Sequence, residues 1–164
     1  MSHDTRSGQV PVSMPRARPA PSAASQAGRR WALLFACWFL ASVATLGALF
    51  FSVVMAREPC VLCWYQRIFM FPLPLVLGAG LLPFDPGCVR YALPLALGGW
   101  LVALYHCLLY LGIVPAGLQP CTRGVSCADV QIEVAGFVTI PLLSLLAFTL
   151  IVALLLAVRK GPQT

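Results

Sequence analysis

Four long blocks of uncharged, mostly apolar residues divide the chain, and short polar stretches separate them. The first, Trp31 to Ala56, is bracketed by Arg29-Arg30 and Arg57. The second runs from Cys60 to Phe84 with a single charge, Arg67, and the third from Tyr91 to Val114 with only His106 able to ionise outside its tyrosines and cysteine. The fourth, Val134 to Val158, is closed by Arg159-Lys160. At a helical rise of about 1.5 Å per residue, each block is long enough to cross a hydrocarbon core of about 30 Å. The pattern therefore predicts an all-α integral membrane protein, a bundle of four transmembrane helices. Pro72 and Pro74 should bend or loosen the second span, and Pro83-Phe84-Asp85-Pro86-Gly87 is a strong turn signal that ends it. Pro141 falls in the first third of the fourth.

Outside the spans the pattern changes character. Residues 1–30 are rich in Pro, Ser, Ala and Arg without apolar periodicity, and are expected to form a disordered tail. His3 in that tail has no neighbours that would complete a site. Residues 31–158 form the membrane domain and 159–164 a short C-terminal tail. A cleaved signal peptide competes for the first block, with Ala41-Ser42-Val43-Ala44 as small residues. The block continues apolar well past that point and follows a long tail, so a retained helix is expected.

Composition narrows the class. Of 164 residues, 60% are hydrophobic and 10% charged, too little polar surface for a soluble domain of this size. The net charge of +6 is scattered over segment ends, which argues against nucleic acid and for membrane orientation. Arg6, Arg16, Arg18, Arg29, Arg30, Arg90, Arg159 and Lys160 fall on one side of four crossings, leaving Arg57, Arg67 and Arg123 on the other. Both termini are thus expected in the cytoplasm. There is no Gly-rich phosphate loop and no His-Glu-x-x-His motif.

The chemistry resides in the cysteines. Seven are present, and four form two close pairs, Cys60-Val61-Leu62-Cys63 and Cys121…Cys127. Charge bias places both pairs on the side opposite the termini, an oxidising compartment in which disulfides persist. Arg67 follows Cys63 by one helical turn, on the same face. A cation there and a helix N-terminus, for which Pro59 is a start signal, both favour thiolate over thiol. Thiolate is the form that exchanges disulfides. The second pair encloses Gly124 and Ser126, which give a connection loose enough for the Cα separation of about 4.4–6.8 Å that a disulfide needs. One pair at the membrane and one on a loop suit a relay from a soluble partner to a lipid-dissolved acceptor, for which a quinone is the natural chemistry.

The stretch Pro59-Cys60-Val61-Leu62-Cys63-x-Tyr65-x-Arg67 resembles the signature of the disulfide bond formation protein B (DsbB) family, the quinone-dependent thiol oxidases of bacterial inner membranes. Pro120-Cys121-x5-Cys127, followed by Gly136-Phe137-x-Thr139-Ile140-Pro141, is similar to the family's short-loop BdbC-type branch. The resemblance covers most of residues 31–158 and implies reoxidation of a thioredoxin-fold partner of the DsbA or BdbD kind. It implies that the partner's thiolate attacks Cys121, that Cys127 resolves, and that Cys60 exchanges with the loop pair. Cys63 would pass electrons to ubiquinone or menaquinone as an adduct or charge-transfer complex, steadied by Arg67. No metal is expected.

Other readings are weighed against this one. Four thiolates can hold a tetrahedral zinc, and cysteines can simply staple loops. A relation to the vitamin K epoxide reductases is opposed by the short loop pair and the motif order. Arg67 could snorkel to head groups. His106 is either a bundle residue bonded to a carbonyl or a proton donor to reduced quinone. Tyr65, Tyr105, Tyr110, Trp31 and Trp64 read as interface or bundle residues, and Trp100 as core packing. Cys37 and Cys107 read as packing residues. Cys88 reads as a free thiol.

Overall fold

Long apolar runs in lipid have one economical solution, the helix, because it satisfies its own backbone. The computed structural model of the chain describes residues 23–56, 59–114, 133–134 and 138–160. Helix α1 spans Ala23–Leu49, α2 Val61–Met70, α3 Pro72–Leu81, α4 Val89–Tyr110 and α5 Ile140–Lys160. Because α2 and α3 run on with only Phe71 between them, four spans are long and apolar enough to cross a membrane. The protein is a multi-pass membrane protein with the expected four-helix architecture.

Local chemistry explains the boundaries. Phe71 keeps helical dihedrals (φ −65°, ψ −37°) and its N–H still donates to Arg67 O at 2.9 Å. Pro72 then opens α3 at a position where a missing N–H costs least. After α3 the chain reverses through Phe84, whose φ is +51°, and the Asp85 N–H donates to Gly80 O at 2.7 Å. Asp85 Oδ1 accepts from the Gly87 N–H at 2.8 Å, capping the short 3₁₀ turn Pro86–Cys88 that leads into α4. The turn expected at residues 83–87 is where the structure has it.

Three boundaries differ from the sequence reading. Helix α1 starts at Ala23, inside the stretch expected to be disordered; residues 1–22 lie outside the described residues. Once the apolar segment is helical, adding Ala, Gln and Arg residues at its end costs little, since propagation is far cheaper than nucleation. At the other end, Arg159 and Lys160 complete the last turn of α5 and are not tail. The fourth span begins at Ile140 and not Val134. Glu133–Val134 (β1) pairs antiparallel with Val138–Thr139 (β2), Glu133 opposite Thr139 and Val134 opposite Val138. Three of those four residues are β-branched and favour extended backbone, and Pro141 is the second residue of α5, not an interior kink.

Two apolar clusters hold the helices together. The larger joins Leu34, Cys37 and Ala41 of α1, Leu73 and Leu77 of α3, Ala92 and Ala96 of α4, and Phe148, Ile151 and Leu155 of α5. Trp100 reaches from α4 to α5, its Nε1–H donating to Thr149 Oγ1 at 3.0 Å, so its core role includes a polar tie. The smaller cluster, Cys60, Leu62 and Leu109 with Cys63, Val102, Tyr105 and Val114 against it, joins α2 to α4 at the other end.

The tightest helix approach is between α4 and α5. A Cβ added at Gly99 would run into the Phe148 ring, which is fully buried. Gly99→Val is therefore expected to destabilise the bundle by about 1–3 kcal/mol, read as a lower unfolding temperature in detergent. Adding Phe148→Ala should recover part of that loss. An unchanged unfolding temperature for the single variant would contradict this packing.

Candidate functional site

Cys60 is the residue from which α2 starts. Its backbone is extended (φ −66°, ψ 167°) and its carbonyl accepts the first helical bond, from the Trp64 N–H at 3.1 Å. Pro59 lies one residue before this cap, so the helix starts slightly later than the proline signal implies. Cys63 sits in the first turn, where one turn of helix turns its sulfur toward Cys60. The two sulfurs share a hydrogen bond at 3.1 Å.

Helix α4 supplies the third member. Cys60 Sγ lies 3.9 Å from His106 Nε2, and Gln66 Nε2 lies 3.2 Å from His106 Nδ1. Gln66 is 7% exposed and His106 3%, and both sit in otherwise apolar spans. An unpaired polar group there would be costly, and the pair satisfies both. His106 is thus not bonded to a backbone carbonyl; its two nitrogens face an amide and a thiol. The sulfurs of Cys60 and Cys63 and a nitrogen of His106 all lie within 4.8 Å of one another. Two sulfurs and an imidazole so spaced would also suit a soft cation, yet the hydrogen bond between the two thiols and the Gln66 contact account for the same geometry without one.

Arg67 behaves differently from the simple expectation of a cation laid over Cys63. Its guanidinium turns toward the end of α1, where Nη2 donates to Ala48 O at 2.9 Å and Nη1 to Ser52 Oγ at 3.3 Å. The α1 backbone widens into a π-helical turn at Phe50–Val54, and such turns shift carbonyls out of the regular ladder. The cation also lies 5.4 Å from the Trp64 ring centroid. The two hydrogen bonds fix the direction of the guanidinium. Trp64, Tyr65 and Ile68 are exposed beside it.

The electrostatics of the pair favour one sulfur. The Cys60 thiol is held well below the ordinary thiol range, first because Cys63 donates a hydrogen bond to its thiolate. Burial works against this, and the His106 contact adds to the lowering. The loop pair Cys121 and Cys127, with Arg123 and Ser126, lies outside the described residues. The chain leaves for that loop from the end of α4, where Val114 packs on the Cys60 cluster.

Sequence reasoning singled out Cys60, Cys63, Arg67 and His106, and the structure brings the two cysteines and His106 together. It missed Gln66 as part of the site, and with it Ser52 and Ala48 as Arg67's anchors. The available signal for Gln66 was an uncharged polar side chain deep in an apolar block.

A family model described as disulfide bond formation protein DsbB matches residues 29–158. A probable disulfide formation protein of Metapseudomonas resinovorans is 44% identical over 143 residues, 87% of this chain and 96% of that protein. Disulfide bond formation protein C of Bacillus subtilis is 40% identical over 135 residues, 82% of this chain and 97% of that one. A probable disulfide formation protein of Coxiella burnetii is 40% identical over 130 residues, 78% and 86% respectively. No solved structure matches.

With both site sulfurs reduced, iodoacetamide is expected to modify Cys60 faster than Cys63, and to keep doing so at pH 6.5, about two units below the ordinary thiol value of about 8.5. A lowered pKa leaves thiolate present at that pH. His106→Leu should slow the reaction at pH 6.5 several-fold and leave it nearly unchanged at pH 9. Equal rates for the two cysteines, measured by peptide mass spectrometry, would contradict this charge distribution.

Proposed function

The chain belongs to the DsbB family of disulfide bond formation proteins, and from that premise we propose that it is a quinone-dependent thiol oxidase that keeps a soluble thioredoxin-fold dithiol oxidase, of the DsbA or BdbD kind, in its disulfide form. The observation that carries this reading is the pair of sulfurs 3.1 Å apart at the start of a membrane helix, against a buried histidine. A thiol pair so placed can exchange with a partner from outside and still face lipid through Cys63.

In this reading a partner thiolate attacks Cys121 and expels Cys127 as thiolate; the partner's second thiol then attacks the mixed disulfide, leaving the partner oxidised and the loop pair reduced. One loop thiolate then attacks Cys60, breaking the Cys60–Cys63 bond, and the electron pair departs on Cys63. The second loop thiol closes the loop disulfide and releases Cys60 as thiolate. Two electrons now reside on the Cys60–Cys63 pair, and two protons remain to be delivered with them. A bound quinone, ubiquinone or menaquinone, supplies the two-electron acceptor. Cys63, Arg67 and the exposed Trp64 face would hold it: a sulfur donor, a cation for an oxygen, and a flat exposed ring. Arg67 would hold that oxygen, with its anchors on Ala48 and Ser52 fixing the direction of the guanidinium. His106 attends to Cys60.

The charge bias supports cytoplasmic termini and an inner (cytoplasmic) membrane location, with both cysteine pairs facing the extracytoplasmic side. A membrane-impermeant maleimide added to intact reduced cells should then label Cys60 or Cys63 but not Cys88. Labelling that requires permeabilised cells would reverse the orientation.

The activity is tested on the purified full-length protein with a short-chain quinone and a reduced DsbA-type protein, following thiol loss and quinone absorbance together. Cys121→Ser and Cys127→Ser are expected to stop oxidation of the protein substrate but to leave quinone-linked oxidation of dithiothreitol. Cys63→Ser should reduce both by at least about a hundredfold. If Cys63→Ser retained oxidation of either thiol substrate by quinone, this assignment would fall.

A further inference from the structure

Buried in the α2–α4 contact is a residue that the scheme above does not use. We propose that Gln66 is a positioning residue for thiol exchange: its side-chain amide donates to His106 Nδ1, keeping the imidazole neutral with its proton on Nε2, aimed at Cys60 Sγ. The inference rests on the reading of Cys60 as an exchanging sulfur.

The geometry leads there in three steps. Gln66 Nε2 lies 3.2 Å from His106 Nδ1, and an amide nitrogen only donates. The Nδ1 atom must therefore offer its lone pair, and a neutral imidazole with a free lone pair on Nδ1 carries its hydrogen on Nε2. That nitrogen is 3.9 Å from Cys60 Sγ, so the hydrogen points at the sulfur. Donation to a sulfur favours its thiolate. A neutral donor achieves this without placing an imidazolium in an apolar bundle, where an isolated charge is costly.

The surroundings leave Gln66 as the group that sets the tautomer. Toward Cys60 and His106, α2 presents Cys63 and Arg67, and Arg67 is turned to Ala48 and Ser52. Helix α4 itself adds Tyr105, which packs on the same cluster, Cys107 next to His106 and Tyr110 one turn on, with Arg90 and Tyr91 at its opposite end. Helix α3 has no titratable residue, and neither does α5 before Arg159. The titratable residues of α1 are Arg29, Arg30 and Cys37, and Cys37 belongs to the other cluster. Arg57 and Glu58 lie outside the described residues.

Chemically, the fixed proton matters twice. When the loop disulfide closes, the bond between the loop sulfur and Cys60 breaks and the electron pair leaves on Cys60, where Nε2–H receives it as a hydrogen bond. Reoxidation would join the two sulfurs as a disulfide and pass two electrons and two protons to the quinone; Cys60 would have to enter that bond as a thiolate, and the same hydrogen bond keeps it in that form. No proton is transferred to or from His106 in either step.

The test reads Cys60 directly. In the full-length protein with both site cysteines reduced in detergent, the iodoacetamide rate at Cys60 is followed from pH 4 to 10. Gln66→Leu is expected to move the midpoint of that profile upward by at least about one unit, so that alkylation at pH 6.5 falls about tenfold. Gln66→Glu keeps the shape but puts a carboxylate on Nδ1, which favours a proton there; its profile should gain a second step in the histidine range. That isosteric variant decides the matter even if Gln66→Leu does not fold. A Gln66→Glu profile superimposable on that of the unaltered protein would overturn the proposal, as would an unshifted midpoint in folded Gln66→Leu. The readout needs neither quinone nor partner. Loss of the Gln66 effect with quinone-linked oxidation intact would sink this inference alone, and the converse would sink only the proposed function.

Discussion

Polar groups inside a hydrocarbon layer must find partners within the protein, and this constraint shapes the functional end of the bundle. Gln66 and His106 lie in different, largely apolar spans, and each provides what the other needs. Their contact ties α2 to α4 and orients an imidazole at the sulfur that begins α2. Arg67 meets the same requirement against α1, through a carbonyl and a hydroxyl beside a widened turn. Among the described residues, Thr45 Oγ1 is the buried side-chain polar atom left without a partner.

The two apolar clusters divide the labour. The larger cluster is built mainly from Leu, Ala, Phe and Ile of α1, α3, α4 and α5, with Met70 from the end of α2, and it sets the spacing of the helices. Its closest approach, Gly99 against Phe148, works because glycine offers no side chain there. The smaller cluster is less a core than a wall. Leu62, Leu109 and Val102 exclude water from Cys60, while Cys63 stays half-buried on the side where Trp64 and Tyr65 are exposed. One sulfur is therefore kept under electrostatic control and the other is kept accessible. A helix start is a suitable place for both, since its free N–H groups favour negative charge.

Much of this was legible in the sequence. Four continuous apolar blocks determine a four-span membrane protein, because an unbroken apolar run of that length satisfies its backbone in lipid as a helix, whereas barrel strands alternate. The Cys-x-x-Cys spacing fixes two sulfurs within reach, whatever the tertiary fold, because one turn of helix brings them to one face. The turn at Pro83–Gly87 was equally local. Helix ends were less so: α1 reaches back to Ala23 by propagation, and Val134, Val138 and Thr139 prefer a short strand pair to an extra turn and a half of α5.

What only the tertiary structure decided was which partners the polar side chains found. Gln66 and His106 are 40 residues apart, and no periodicity within a span could pair them; the packing of α2 on α4 does. Arg67 stands one turn from Cys63 in the chain, yet its guanidinium goes to the end of α1 because a carbonyl and a hydroxyl that accept from it lie there. Local spacing governs which atoms share a helix face. The contacts between helices govern where a long or buried side chain directs its charge, and that depends on residues the chain brings back from a distance.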